Sequence, residues 1–299
     1  MRKLIRRLAG PCDQRDALGI ALGCLSLLLA CVLATRRNPY FWYDEVATAT
    51  LVRDPSVTHM LGAIVRGAEN NPPLYQLALR GWIAIFGDTA LSMRLPSALC
   101  ASVALAIAWR TLRRWYSTAA VSLGIGVGIL GSITIIDQVA QARSYGFFLL
   151  AAASAFAATV SAMRSDRTAR ASLLLLFLTH LFLVYSHTLG LASSGSLLAA
   201  AVVVDAWRGR LRPLSYGAVV AAWPLFAPWV PTLLRQGKIA TPRNWLLPPD
   251  REAFFAVLGA QTRLLPIALV VVAVASTLSL VRGAAPVEDA AAVDVSDER

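Results

Sequence analysis

The chain has 299 residues, 57% of them hydrophobic and only 15% charged, with a net charge of +11. A soluble domain carries about 25% charged residues, and a mean hydropathy of +0.60 would leave large apolar surfaces in water, so an ordinary soluble domain is excluded. The basic residues lie in short links between apolar blocks and form no aromatic-studded basic face, which argues against nucleic acid as a partner.

The blocks read, in chain order, as eight transmembrane helices: Ala17–Ala34, Leu95–Leu112, Ala119–Ile136, Tyr145–Met163, Ser172–Tyr185, Leu189–Trp207, Leu214–Leu234 and Leu264–Val281. The fold class expected is therefore all-α, a polytopic membrane bundle of about eight helices. The basic start Met1–Arg7 also suits a signal peptide. The first apolar run is long for one, however, and the Arg36-Arg37 that follow make no cleavage site, so a retained helix is expected. Arg2, Lys3, Arg6, Arg7 and Arg15 precede it. Arg110, Arg113 and Arg114, then Arg164, Arg167 and Arg170, then Arg208, Arg210 and Arg212 fill alternate links. The positive-inside rule puts these links and both termini in the cytoplasm, with the protein in the inner membrane.

The longest link, Thr35 to Arg94, falls on the outer side. Its segments Thr58–Val65 and Leu74–Phe86 read as interfacial helices, and Trp42, Tyr43, Tyr75 and Trp82 suit that depth. A second outer link runs from Arg235 to Arg251. Residues 1–282 form one membrane domain in this reading, and the small, acidic tail 283–299 is expected to be disordered. Cys12, Cys24, Cys31 and Cys100 show no metal-ligand spacing and read as structural thiols, with no disulfide expected.

Candidate chemistry gathers in the outer links. Asp44-Glu45, just outside the first helix, can act as a general base or as ligands for a divalent ion, or be a solvated acidic pair at a helix start. Pro72-Pro73 fixes an extended entry to the next helix and so sets the positions of Asn71 and Tyr75. Arg94 is either a snorkelling anchor or a phosphate contact. Asp137, near bilayer depth, is a functional suspect by cost alone; Arg143 beside it can pair with it or bind phosphate. His187, at the outer end of the fifth helix, is a candidate of the same kind, against the simpler reading of a hydrogen-bonded structural residue. Asp205 reads as a structural ion pair with Arg208. No Walker loop, HExxH or CxxC occurs, and no nucleotide-sugar donor is expected.

Tyr43-Asp44-Glu45, Asn71-Pro72-Pro73-Leu74-Tyr75, Phe86-Gly87-Asp88, Arg94-Leu95-Pro96-Ser97, Gln141-Ala142-Arg143-Ser144-Tyr145 and Ser186-His187-Thr188-Leu189-Gly190 follow in this order. The arrangement resembles the protein mannosyltransferase-like glycosyltransferases of the GT-C fold, including bacterial aminoarabinose and galacturonic acid transferases. The resemblance implies a polyprenyl-phosphate-linked sugar donor, transfer on the non-cytoplasmic face with inversion, and an envelope acceptor that is a lipid, glycan or protein. It maps the essential first-loop acid onto Asp44, with Glu45 beside it, and a second acid onto Asp137. Arg94, Arg143 and His187 become donor phosphate contacts, and Asn71, Tyr75 and Tyr145 substrate-positioning residues. A divalent metal at Asp44 and Glu45 is compatible with it. The chain departs from the family in being shorter and in carrying Asn71 where many members have His. The alternatives are an inactive truncated remnant and a lipid-linked-sugar transporter or scaffold, although no internal repeat supports a transporter.

Overall fold

The computed structural model describes residues 13–130, 132–164, 169–240 and 251–252. The chain divides into two compact units, Met1–Pro248 and Pro249–Arg299. Every helix named below belongs to the first; of the second, residues 251 and 252 are helical. The expected eighth helix, the acidic tail, Cys12 and the basic start lie outside the described residues.

Among the described residues all regular structure is helical. The elements are α1 (Gln14–Arg37), α2 (Tyr43–Arg53), α3 (Val57–Ala63) with a wider turn Ile64–Ala68, α4 (Leu74–Phe86), α5 (Ala90–Leu112), α6 (Thr118–Ile125) with a wider turn Gly126–Leu130, and α7 (Ile133–Val139). They continue as α8 (Tyr145–Met163), α9 (Arg170–Ser186), α10 (Gly190–Trp207), α11 (Pro213–Val220), a 3-10 turn Pro224–Trp229 and α12 (Val230–Ala240).

Five stretches are long and apolar enough to cross a membrane: Gln14–Arg37, Ala90–Leu112, Tyr145–Met163, Gly190–Trp207 and Pro213–Gln236. The expected count of about eight is thus not confirmed. The third expected span, Ala119–Ile136, is broken between α6 and α7. Gly124, Gly126 and Gly128 place three poor helix formers in α6 and in the wider turn that follows it. The fifth exists as α9, whose 17 residues sit at the lower limit of a span. In the link between α1 and α5, α4 has the expected boundaries Leu74–Phe86, and α2 and α3 lie before it.

The long helices pack through small residues. Gly146 of α8 faces Ser97 of α5 so closely that a Cβ there would overlap the Ser97 carbonyl oxygen, and Gly190 of α10 meets the Leu183 carbonyl of α9 in the same way. Such contacts let backbones approach in the absence of a hydrophobic drive between helices. Pro96 lies inside α5 and has no N–H for the carbonyl of Ser92. The Trp82 indole of α4 donates to that carbonyl instead, at 2.9 Å. Cys31 is buried in the core between α1 and α5.

Several buried polar groups of the bundle are paired. The His180 ring lies between Thr159 Oγ1 at 3.1 Å and Ser194 Oγ at 2.8 Å, and the Trp223 indole donates to Ser194 at 2.9 Å. Asp16 accepts from Arg113 at 2.6 Å, Trp109 at 3.0 Å and Thr118 at 3.1 Å, closing one end of the bundle. Asp205 pairs there with Arg212, not with the expected Arg208, and accepts from Tyr216 at 2.7 Å. Gly209, at φ 65°, turns the chain back after α10 so that Arg212 returns to Asp205. The other end collects the C-termini of α1 and α9, the N-termini of α5, α8 and α10, and α2 to α4.

Candidate functional site

The helix start at α2 separates Asp44 from Glu45. Glu45 is the third residue of α2 and accepts from the Trp42 backbone N–H at 3.3 Å, which closes the helix entry and turns the carboxylate inward. Its side chain is wholly buried, and α5 supplies the counter-charge. Arg94 Nε donates to Glu45 Oε1 at 2.8 Å and Nη2 to Oε2 at 2.7 Å, a two-pronged pair. The Ala142 N–H adds a bond at 2.8 Å. Arg94 also donates to the carbonyls of Asn38 at 2.8 Å and Tyr40 at 2.9 Å, and is itself 4% exposed. Glu45 and Arg94 therefore tie α1, α2, α5 and the turn before α8 together, and each is fully engaged by protein.

Asp44, one residue earlier, points the other way. Its side chain is 37% exposed, and Oδ2 lies 3.7 Å from Arg143 Nη2. Arg143, which precedes α8, is 13% exposed, and its Nη1 reaches Glu69 Oε2 at 3.1 Å, the Asp44 carbonyl at 3.3 Å and Thr48 Oγ1 at 3.4 Å. Glu69 is buried, and its Oε1 accepts from the backbone N–H groups of Asn70 at 2.9 Å and Asn71 at 3.3 Å and from Asn71 Nδ2 at 3.1 Å. Asn71 Oδ1 in turn accepts from the Thr188 backbone N–H at 3.2 Å. The link between α1 and α5, the turn before α8 and the turn between α9 and α10 thus meet at one cluster.

His187 belongs to this cluster. Its ring packs on Tyr145 and Phe148, with centroids 5.8 and 5.0 Å away, and Nδ1 accepts the Leu189 N–H at 3.1 Å. Burial, and next the positive charge of Arg143, hold its pKa below the ordinary 6.5. The neutral ring then carries its proton on Nε2, as a donor.

Of the residues singled out in the sequence, the structure brings together Asp44, Asn71, Arg143, Tyr145 and His187, and sets Glu45 with Arg94 beneath them. Tyr75 is buried against Phe147, its hydroxyl has no hydrogen-bond partner among the described residues, and burial pushes its pKa far up. Asp137 is exposed on α7 and makes no hydrogen bond or ion pair with Asp44 or Arg143. The acid hydrogen-bonded to Arg143 is Glu69, which stood out in no motif; its one sequence signal is its place directly before Asn70-Asn71-Pro72-Pro73.

These donors do not fit a divalent ion. Glu45 has its oxygens engaged by Arg94 and backbone N–H groups, and the guanidinium of Arg143 stands between Asp44 and Glu69, where a cation would have to sit. No group of three or more His, Cys, Asp or Glu with metal-binding placement occurs among the described residues. Two apolar clefts flank the bundle. One of about 510 Å³ is lined by Leu74, Leu178, Leu181, Phe182, Tyr185 and Leu225. The other, of about 500 Å³, lies between α5, α8 and α10, over Ala104, Ala152, Phe156 and Leu197.

A family model described as dolichyl-phosphate-mannose-protein mannosyltransferase matches residues 70–231. Neither a curated protein nor a solved structure gives a significant match.

Proposed function

Because the chain belongs to the dolichyl-phosphate-mannose-protein mannosyltransferase family, a family of membrane glycosyltransferases that use a polyprenyl-phosphate sugar, we propose that it transfers that sugar to an envelope acceptor on the outer face of the inner membrane, with Asp44 as the base. The observation that carries this reading is the placement of Asp44. It is a half-exposed carboxylate 3.7 Å from a largely buried arginine, at the end of the bundle away from the clustered basic links.

In this reading Asp44 takes the proton from the acceptor hydroxyl or amine as that atom bonds to the anomeric carbon. The bond from the anomeric carbon to the phosphate oxygen breaks, and its electron pair leaves with the polyprenyl phosphate. Arg143 stabilises that charge, and neutral His187 adds an N–H donor from Nε2. The cleft from Leu178 to Tyr185 runs along α9 toward His187 and starts beside Leu74. It suits an apolar polyprenyl chain whose phosphate ends at Arg143. Glu45 and Arg94 serve as the frame that holds the start of α2, and so Asp44, in place.

The test is turnover of a panel of polyprenyl-phosphate sugars by purified protein in liposomes. Asp44→Asn is expected to lower kcat by about 10²–10⁴, the worth of general-base assistance, with the protein still inserted and folded. Wild-type turnover by Asp44→Asn would remove the assignment.

A further inference from the structure

Two arginines of this site present the same edge in two different states. In Arg94 the edge formed by Nε and Nη2 is closed by the Glu45 carboxylate, at 2.8 and 2.7 Å. In Arg143 that edge is open. Nη2 has Asp44 Oδ2 only at 3.7 Å, and Nε is buried with no hydrogen-bond partner among the described residues. Two parallel N–H groups on one edge are the arrangement that grips a phosphate or carboxylate with both oxygens. A buried guanidinium N–H left without an acceptor is costly, so the open edge points to an acceptor that arrives with a ligand. Asp44 stands close enough to be that acceptor, and yet the edge has not closed on it.

The reason lies on the other side of the guanidinium. Three acceptors converge on Nη1: Glu69 Oε2 at 3.1 Å, the Asp44 carbonyl at 3.3 Å and Thr48 Oγ1 at 3.4 Å. Only Glu69 is charged, and it is rigid. Its Oε1 is held by three N–H groups of Asn70 and Asn71, and its carbonyl accepts from Gln236 of α12. Glu69 is 4% exposed and Asp44 37%. A buried pair of this kind is far harder to separate than a half-solvated one. An anion entering the site would therefore displace Asp44 from Arg143 and leave Glu69 in place.

We propose that Glu69 is a positioning residue, which holds Nη1 of Arg143 so that the Nε–Nη2 edge stays open for the phosphate of the lipid-linked donor. This rests on the reading of Arg143 as the phosphate contact. Without Glu69, Asp44 becomes the nearest carboxylate partner of Arg143, and the edge closes on it as that of Arg94 closes on Glu45. The incoming phosphate then has to break a two-pronged pair, and the base is tied up with it.

The experiment measures the affinity of polyprenyl phosphate for the full chain in nanodiscs. Glu69→Gln keeps an Oε1 acceptor for the Asn70 and Asn71 N–H groups and loses the oxygen that faces Nη1. It is expected to bind on the order of tenfold more weakly, the worth of one charge-assisted hydrogen bond. The sign is decisive, because deleting a negative charge beside an arginine would by simple electrostatics tighten an anion. Adding Asp44→Asn to Glu69→Gln is expected to restore affinity, since no carboxylate is left to close the edge; a loss of packing alone would not be rescued in this way. Unchanged or tighter binding by Glu69→Gln overturns the proposal, as does a double variant that stays weak. Should Glu69→Gln not fold, Glu69→Asp, which draws the charge back from Nη1, serves in its place: weaker binding supports the proposal and wild-type binding overturns it. Arg143→Gln separates the two readings. If it binds like the wild type, the phosphate contact itself is misassigned and this proposal falls with it. If it binds weakly while Glu69→Gln does not, only the positioning role fails.

Discussion

Asp44 and Glu45 are neighbours in the chain, but a helix turns consecutive residues about 100° apart, and here that rotation separates solvent from core. Glu45 faces inward to Arg94 and Asp44 outward to Arg143. Glu45→Gln is consequently no mild control for Asp44. It leaves Arg94 buried without its carboxylate, a change that costs about 3–5 kcal/mol, and thermal unfolding in detergent should show a large fall in Tm. A Tm unchanged from wild type would mean that the buried pair carries little stability. His187 adds a pH dependence whose sign follows from its environment. Its pKa is lowered by burial and by Arg143, so the folded state binds fewer protons than the unfolded state in the window below the ordinary 6.5. Stability therefore rises with pH through that window and is lost as the pH falls through it. His187→Gln should flatten this part of the Tm-against-pH curve, and a curve identical to wild type would show that the ring is not held neutral.

At the level of elements, hydropathy located the helices well where no small-residue cluster interrupts them. Leu74–Phe86 and Tyr145–Met163 were legible to the residue. Ala119–Ile136 was not, because an apolar average cannot distinguish one continuous α-helix from a helix that passes into a wider turn at Gly126–Leu130 before α7 begins at Ile133. Glycine at a helix contact has a different meaning, and Gly146 is the clearest case. A side chain there meets the Ser97 carbonyl oxygen, which is backbone and cannot rotate away. Gly146→Ala is expected to destabilise by about 1–3 kcal/mol and to shift the turn that carries Arg143, three residues earlier. Parallel measurements of Tm and turnover check this; a stable variant with wild-type turnover would show that α5 and α8 tolerate a wider spacing.

For the whole molecule, the charges divide by end. Arg113, Arg164 and Arg212 gather at one end with Asp16, Trp115 and Asp205, and the cluster around Asp44 and Arg143 lies at the other. The positive-inside rule predicts that the first end is cytoplasmic. A reporter fused after Arg114 should therefore read the cytoplasm and one fused after Gly237 the outer face. A reversed pair would put Asp44 on the cytoplasmic side and end the proposal of outer-face transfer.

Composition and hydropathy by themselves determined that this is a helical membrane protein, because an apolar residue is driven out of water whatever its partners are. The order of short motifs likewise carried the family, and Asp44, Asn71, Arg143, Tyr145 and His187 were visible as candidates. Pairing was decided only by the tertiary structure. Glu45 meets Arg94 across 49 residues and Glu69 meets Arg143 across 74. Whether a carboxylate is a frame, a base or a counter-ion depends on which cation the fold brings within about 4 Å of it, and on how much water remains around the pair. No local pattern encodes that distance, which is why Glu69 passed unnoticed in the chain and Arg94, an equal candidate for phosphate, is already engaged by Glu45.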